Sequence, residues 1–123
     1  MTKPRSDALV FFGATGDLAY KKIFPALQAM AHRGKLDLPV IGVAKSGWNL
    51  DQLVERARAS VREYGGEDAE AFGILVSRLR YVDGDYTDPN TFAQLRRELD
   101  GATLPTHYLA IPPDMFPTVI EGL

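Results

Sequence analysis

Residues 9–19, LVFFGATGDLA, carry the clearest indication of architecture: an apolar run leads into a turn with two glycines, and a helical pattern follows at once. Gly13 allows a sharp turn, Gly16 leaves the backbone open to an anion, and Ala19 lets the helix pack close to a sheet. Unpaired N–H groups at such a helix start bind phosphate. The G-x-x-G-x-x-A spacing departs from G-x-G-x-x-G, but its place between strand and helix favours a dinucleotide pyrophosphate site. The alternative is a turn that needs glycines for geometry alone.

The rest of the chain alternates short apolar runs with helical patterns. Apolar runs without alternation are typical of strands buried on both faces of a parallel sheet, and they occur at residues 9–12, 39–44, 79–82 and 107–111. Helical patterns occur at residues 17–33, 49–64, 68–77, 88–99 and 115–123. This alternation predicts an α/β fold, a Rossmann-type doubly wound parallel sheet with helices on both faces.

Local signals predict where the helices begin and how they run. Gly34 ends the first helix, and Asn49 with Gln52 resembles a capping box at the start of the second. The second helix is expected to bury Leu53, Ala57, Val61 and Tyr64. Pro25 removes the hydrogen bond to the Lys21 carbonyl and predicts a kink. Asp17 is interpreted mainly as a helix-start residue that accepts from backbone N–H groups.

Composition excludes several classes of protein. A net charge of −2 gives no basic face for nucleic acid, and no apolar run is long enough for a bilayer. The polar N-terminus does not resemble a secretory signal, and the absence of cysteine excludes disulfides and thiolate metal sites. Cytoplasm is the expected compartment. An apolar helical pattern still runs at residue 123, so residues 1–123 are expected to be a truncated dinucleotide-binding domain that lacks its last strands.

The end of the second apolar run indicates which dinucleotide binds. NAD enzymes place a carboxylate there for the ribose 2′-hydroxyl, whereas this chain has Lys45 and Ser46. A cation and a hydroxyl suit the 2′-phosphate of NADP. The alternative for Lys45 is an exposed loop lysine.

A 3-2-1-4 strand order would bring the loops after the first and fourth strands together as the two lips of a crevice. The loop at residues 111–113 would then face the glycine loop, unless its prolines form an ordinary turn. Residues 83–86 would lie near the adenosine, where Tyr86 either stacks on adenine or is a half-buried loop tyrosine.

Four segments in order resemble glucose-6-phosphate dehydrogenases: FGATGDLAYKKIFPAL at 12–27, IGVAKS at 41–46, YVDGDY at 81–86, and YLAIPP at 108–113 followed by Phe116. The resemblance implies NADP-dependent oxidation of glucose 6-phosphate to 6-phosphogluconolactone in the pentose phosphate pathway, by a cytoplasmic homo-oligomer. It implies a coenzyme site formed by Gly13, Ala14, Thr15, Gly16, Asp17, Leu18, Ala19, Tyr20, Lys45, Ser46, Asp85, Tyr86, Ala110, Ile111 and Pro112. The family usually has arginine at Lys45 and a basic residue at Tyr20.

The family's catalytic and sugar-binding segments do not occur in this sequence. We therefore predict that the chain supplies coenzyme binding only, with no catalytic residue and no metal site, and that residues 1–123 alone are inactive. His32 and His107 are not expected to be catalytic, because spacing suggests no acidic partner for either. Two alternatives remain: a non-catalytic nucleotide-binding module, or another reductase with a G-A-T-G loop.

Overall fold

Strands and helices alternate along the chain in the computed structural model, which describes residues 8–99, 105–109 and 116–122. The strands are β1 (Ala8–Phe12), β2 (Val40–Ala44), β3 (Leu79–Asp83) and β4 (Pro105–Leu109). The helices are α1 (Phe24–His32), which follows a π-helical turn at Ala19–Ile23, α2 (Leu50–Glu63), α3 (Ala69–Arg78), α4 (Pro89–Leu99) and α5 (Phe116–Gly122). Within these ranges, no helix is both long enough and apolar enough to cross a membrane.

The four strands form one parallel sheet in the order β3-β2-β1-β4. Phe12, at the end of β1, pairs with Val43 of β2 and with Leu109 of β4. The predicted strand order and α/β architecture are therefore confirmed. Sequence order reverses between β1 and β4, and open α/β sheets bind ligands in the crevice outside the strand ends at such a switch point.

Apolar side chains cover both faces of the sheet, as the uninterrupted apolar runs predict. One buried cluster joins the sheet to the first three helices and includes Phe11, Phe24, Leu27, Leu53, Val61 and Leu75. The other lies on the side of α4 and α5 and includes Val10, Phe12, Ile41, Phe92, Leu95 and Val119. All five residues of β2 are buried. The strand is therefore packed on both faces, and the loop that follows it starts from a fixed position.

The capping box predicted at Asn49 is present, and α3 begins with a cap that was not predicted from the sequence. Asn49 accepts from the Gln52 N–H at 2.9 Å, and the Gln52 side chain accepts from the Asn49 N–H at 2.9 Å, which is a complete capping box. Asp68 caps α3 by accepting from the N–H groups of Glu70 and Ala71. These caps fix the starts of the two helices on either side of the Gly65-Gly66 turn.

Two boundary predictions are wrong. Tyr64 does not continue the buried stripe of α2, because the helix ends at Glu63. The Tyr64 backbone is not helical, with ψ of 64°, and the residue is 39% exposed. The fourth strand begins at Pro105, two residues earlier than the apolar run indicates. Proline at the first strand position is tolerated, because it need not donate to the ladder there.

Pro25 follows a turn that the sequence-based expectation did not include. The chain winds more widely ahead of it, so that the Phe24 N–H donates to the Ala19 carbonyl five residues back. Pro25 stands in the first turn of α1 and has no N–H, so the carbonyl five residues before it loses its donor in the wider turn. The structure thus adds a π-helical turn before Pro25 that the sequence did not predict. Tyr20, five residues before Pro25, has a carbonyl without a helical donor, and the buried Ser60 hydroxyl of α2 donates to it.

Replacing Ser60 by alanine is expected to lower the free energy of unfolding by about 1–2 kcal/mol, because the Tyr20 carbonyl loses its donor inside the protein. Urea denaturation measures this loss. Ser77→Ala is the matched control, since the Ser77 hydroxyl donates to the Ile74 carbonyl on the exposed surface of α3. Equal losses for the two variants would contradict the role given to Ser60.

Candidate dinucleotide site at the carboxyl ends of the strands

The glycine loop is tied to the end of β2. The N–H groups of Gly13 and Ala14 donate to the Val43 carbonyl at 2.8 and 3.2 Å. Gly13 has φ of 82°, in the left-handed region that favours glycine. The Gly16 N–H donates to the Gly13 carbonyl at 3.0 Å, which closes the turn. The loop is therefore held by the central strand, as the strand–turn–helix prediction requires.

The end of the loop offers backbone N–H groups to an anion. The first helical hydrogen bond runs from the Tyr20 N–H to the Gly16 carbonyl at 3.2 Å, so the N–H groups of Asp17 and Leu18 have no acceptor within the helix. A Cβ on Gly16 would lie only 3.3 Å from the Gly13 carbonyl oxygen, so the loop is built around the bare backbone. This geometry fits a pyrophosphate, whose charge the positive end of the helix favours.

Asp17 does not cap the helix. Its carboxylate is 92% exposed, and its recorded contact among the described residues is with the Arg56 guanidinium at 3.8 Å. The capping interpretation of Asp17 is therefore wrong. An exposed carboxylate next to a cation leaves the N–H groups of the loop available.

Tyr86 lies against the glycine loop. Its hydroxyl accepts from the Gly13 N–H at 2.9 Å and donates to the Val43 carbonyl at 3.2 Å. Its ring meets Phe12 edge-on at 5.8 Å, and burial raises the pKa of the phenol. This placement favours the second interpretation, a half-buried loop tyrosine that holds the glycine loop from the β3 side.

The glycine loop and the end of β2 also meet through two hydroxyls. Thr15 Oγ1 lies 2.6 Å from Ser46 Oγ, at hydrogen-bond distance. Asp83, at the end of β3, accepts from the N–H groups of Ser46 and Gly47 at 3.0 and 2.9 Å. Burial opposes ionisation of Asp83, but the Tyr81 hydroxyl and these N–H donors hold its pKa below the ordinary value. The predicted site residues Thr15 and Ser46 are thus adjacent.

Lys45 pairs with Asp85. Lys45 Nζ lies 3.0 Å from Asp85 Oδ2, with the two side chains 70% and 39% exposed. The Thr87 N–H and then the Lys45 ammonium lower the pKa of Asp85 to about 2, so this carboxylate is charged at any physiological pH. The sequence marked both residues as site candidates but did not indicate that they bind each other.

Arg56, which no sequence pattern indicates, lies beside the loop. Its guanidinium donates to the Gly16 carbonyl at 3.4 Å and lies over the Tyr20 ring, 4.6 Å from the centroid. Its buried Nε has no hydrogen-bond partner among the described residues. The Tyr20 ring also meets Tyr64 edge-on at 5.8 Å. Where the resembling family carries a basic residue, this chain has a ring on which an arginine from α2 packs.

The remaining candidates are placed as follows. Ala110, Ile111 and Pro112 lie outside the described residues.

His32 does have an acidic partner, contrary to expectation: its Nδ1 lies 2.8 Å from Asp68 Oδ2, a contact across 36 positions that spacing could not indicate. His107 of β4 pairs with Val10 of β1 and stacks on Phe12. Burial lowers the pKa of His107. Among the described residues, no group of three potential metal ligands occurs.

A parallel sheet in this order, with a glycine loop at the switch point, defines a dinucleotide-binding domain of the α/β class. Comparison with known families gives the particular one. Residues 10–123 match the model of the family described as "Glucose-6-phosphate dehydrogenase, NAD binding domain". The chain belongs to this family. The resemblance inferred from the four segments is therefore confirmed, and with it a nicotinamide dinucleotide as the class of cofactor.

Individual relatives agree with the family. The glucose-6-phosphate 1-dehydrogenase 1 of Mycobacterium tuberculosis (strain H37Rv) is 40% identical over 118 residues, 96% of this chain and 25% of that protein. The glucose-6-phosphate 1-dehydrogenase of Schizosaccharomyces pombe is 34% identical over 126 residues, 94% of this chain and 25% of that protein. The chain thus spans about a quarter of the length of the curated relatives it matches.

Solved structures agree as well. The glucose-6-phosphate 1-dehydrogenase of Mycobacterium avium superposes with a TM-score of 0.91 at 42% identity, over 97% of this chain and 26% of that chain. A glucose-6-phosphate dehydrogenase solved with its substrate glucose-6-phosphate superposes with a TM-score of 0.85 at 26% identity, over 99% of this chain and 28% of that chain. Membership of this family argues against another reductase with a G-A-T-G loop.

Proposed function

We propose that residues 1–123 are the coenzyme-binding domain of an NADP-dependent glucose-6-phosphate dehydrogenase. The complete protein transfers a hydride from C1 of glucose 6-phosphate to NADP and releases 6-phosphogluconolactone, the first step of the oxidative pentose phosphate pathway. The single observation that carries the proposal is the family match over residues 10–123, on a chain whose glycine loop has the geometry of a pyrophosphate site. The complete enzyme is a cytoplasmic homo-oligomer that binds neither nucleic acid nor membrane.

Each predicted site residue has a proposed role in holding the coenzyme. The loop from Gly13 to Tyr20 binds the pyrophosphate, mainly through backbone N–H groups. Lys45 and Ser46 meet the 2′-phosphate, and Asp85 with Tyr86 lies on the adenosine side. The segment 110–112 lines the nicotinamide, which accepts the hydride when the coenzyme is bound. The sugar site and the group that removes its hydroxyl proton belong to the rest of the protein, so residues 1–123 alone are a binding module without turnover.

The experiment that tests this proposal uses the complete protein that carries the chain. Calorimetric titration is expected to show saturable binding of NADP, and glucose 6-phosphate is expected to produce NADPH, whereas glucose 1-phosphate serves as the control sugar. Production of NADPH no faster than in the absence of protein would overturn the assignment. Binding of NADP without turnover of any sugar phosphate would favour the alternative, a non-catalytic nucleotide-binding module.

Lys45→Ala tests the choice of coenzyme. We expect NADP to bind about tenfold more weakly and NAD to change less, because an ammonium–phosphate contact contributes on the order of 1.4 kcal/mol. Lys35→Ala is the matched control, since Lys35 is an exposed lysine that follows α1. If both coenzymes lost affinity equally in Lys45→Ala, the role of Lys45 at the 2′-phosphate would be wrong.

A further inference from the structure

We propose that Asp85 is a specificity-determining residue that lowers the preference for NADP over NAD by holding the Lys45 ammonium. The inference rests on the proposed function, because it assigns the energetics of the same coenzyme site. It concerns the balance between the two coenzymes, whereas the proposed function concerns whether they bind. The two can therefore fail separately.

Asp85 is fixed before any ligand arrives. Its Oδ1 accepts from the Thr87 N–H at 2.9 Å and from the Thr87 hydroxyl at 2.8 Å. Its carbonyl accepts from the Thr91 hydroxyl of α4 at 2.7 Å. A Cβ on the preceding Gly84 would overlap the Thr91 side chain, so the turn is packed closely against α4. These contacts do not use Asp85 Oδ2, which instead accepts from Lys45 Nζ at 3.0 Å.

The partner of Asp85 is the same group that the 2′-phosphate needs. Lys45 directly follows β2 and is largely exposed, so its flexible stem reaches either the carboxylate or a ligand. An exposed ion pair is weak, so a phosphate dianion can displace the carboxylate. Lys45 gives up one anionic partner when it takes another. The contact with the phosphate therefore contributes less affinity than a free lysine would supply.

The charge around Lys45 acts in the same direction. Asp83, which binds the backbone N–H of Ser46 directly after Lys45, adds a second carboxylate to this rim of the crevice, so Lys45, Asp83 and Asp85 together carry a net negative charge. Asp83 is committed to the Ser46 and Gly47 N–H groups, and its lowered pKa keeps it charged. Arg56 is turned towards Gly16 and Asp17. A 2′-phosphate thus approaches a rim of its own sign, whereas the 2′-hydroxyl of NAD leaves the Lys45–Asp85 pair intact and hydrogen-bonds beside it.

Asp85→Asn in the complete protein tests the proposal by equilibrium titration with NADP and NAD. Asparagine keeps an oxygen that accepts from Thr87 and removes only the charge. We expect NADP to bind about two- to fivefold more tightly, the range that an exposed ion pair supports, and the ratio of NADP to NAD affinity to rise accordingly. The gain is expected to shrink at high salt, which screens exposed charges. Thermal unfolding confirms that the variant is folded.

Two controls separate the possible outcomes. Asp88→Asn makes the same charge change three residues further on, at the cap of α4, where asparagine serves as well as aspartate. An equal gain in Asp88→Asn would overturn the proposal in favour of general electrostatics. In a Lys45→Ala background, Asp85→Asn is expected to have little effect, and a gain as large as in the wild type would show that Asp85 does not act through Lys45. An unchanged ratio in a protein that binds both coenzymes would sink this inference alone, whereas a wild type that binds neither would sink the proposed function.

Discussion

Gly16→Ala is expected to weaken NADP binding about 100-fold while the protein stays folded. The added methyl lies 3.3 Å from the Gly13 carbonyl oxygen, so the turn must open by a few tenths of an ångström. Contact between the pyrophosphate and the N–H groups that follow is then lost. Two charge-assisted hydrogen bonds of about 1.5 kcal/mol each account for an effect of this size.

Calorimetric titration with NADP measures this loss, and urea denaturation measures any change in stability. Gly73→Ala is the matched control, because a Cβ on Gly73 in α3 meets nothing within 4 Å. That control is expected to bind NADP as the wild type does. Wild-type affinity in Gly16→Ala would mean that the coenzyme does not approach the backbone at this position.

Gly42→Ala is expected to lower the free energy of unfolding by about 3 kcal/mol, the upper end of the usual cost of overpacking a core. Its Cβ would lie 2.8 Å from Ala14 Cβ and 3.1 Å from side-chain atoms of both Leu53 and Phe11. Leu53 and Phe11 are fully buried, and Ala14 belongs to a loop that hydrogen bonds fix to β2. No neighbouring side chain can therefore move aside at low energetic cost to relieve the overlap.

Gly73→Ala is also the control for stability, and its expected change in the free energy of unfolding has the opposite sign. Gly73→Ala is expected to raise the free energy of unfolding by about 0.5–1 kcal/mol, because alanine favours a helix more than glycine does. Urea denaturation of both variants compares one chemical change in two surroundings. A Gly42→Ala protein as stable as the wild type would show that β2 and the glycine loop are less closely packed than their geometry indicates.

The sequence predicted those parts of the molecule that depend on local chemistry. Apolar runs indicated the four strands, the Asn49–Gln52 capping box follows from short-range side-chain preferences, and the glycine loop has a spacing tied to its task. The strand order followed from the topology of dinucleotide folds. Errors occurred where a local preference competes with a long-range contact, as at Asp17, whose carboxylate lies near Arg56 and does not cap the helix.

The long-range contacts of the site could not be predicted in this way. Tyr86 reaches Gly13 across 73 positions, and Arg56 reaches Gly16 across 40. Neither partnership leaves a periodicity in the sequence, because each joins single residues brought together by the sheet. The pairing of Lys45 with Asp85 has the same origin. The sequence indicated which residues lie at the crevice but not which of them are already bound to one another.

The Val43 carbonyl accepts from Gly13, from Ala14 and from the Tyr86 hydroxyl, and Lys45 follows only two residues later. Under the proposed function, the strand that anchors the pyrophosphate loop therefore leads directly into the residue that supplies the cation for the 2′-phosphate. The short interval between Val43 and Lys45 then sets the separation of the backbone positions that serve the pyrophosphate and the 2′-phosphate. The sheet sets the backbone positions of this half of the site, so adjustment to the 2′-phosphate falls to the Lys45 side chain, which exchanges Asp85 for the phosphate.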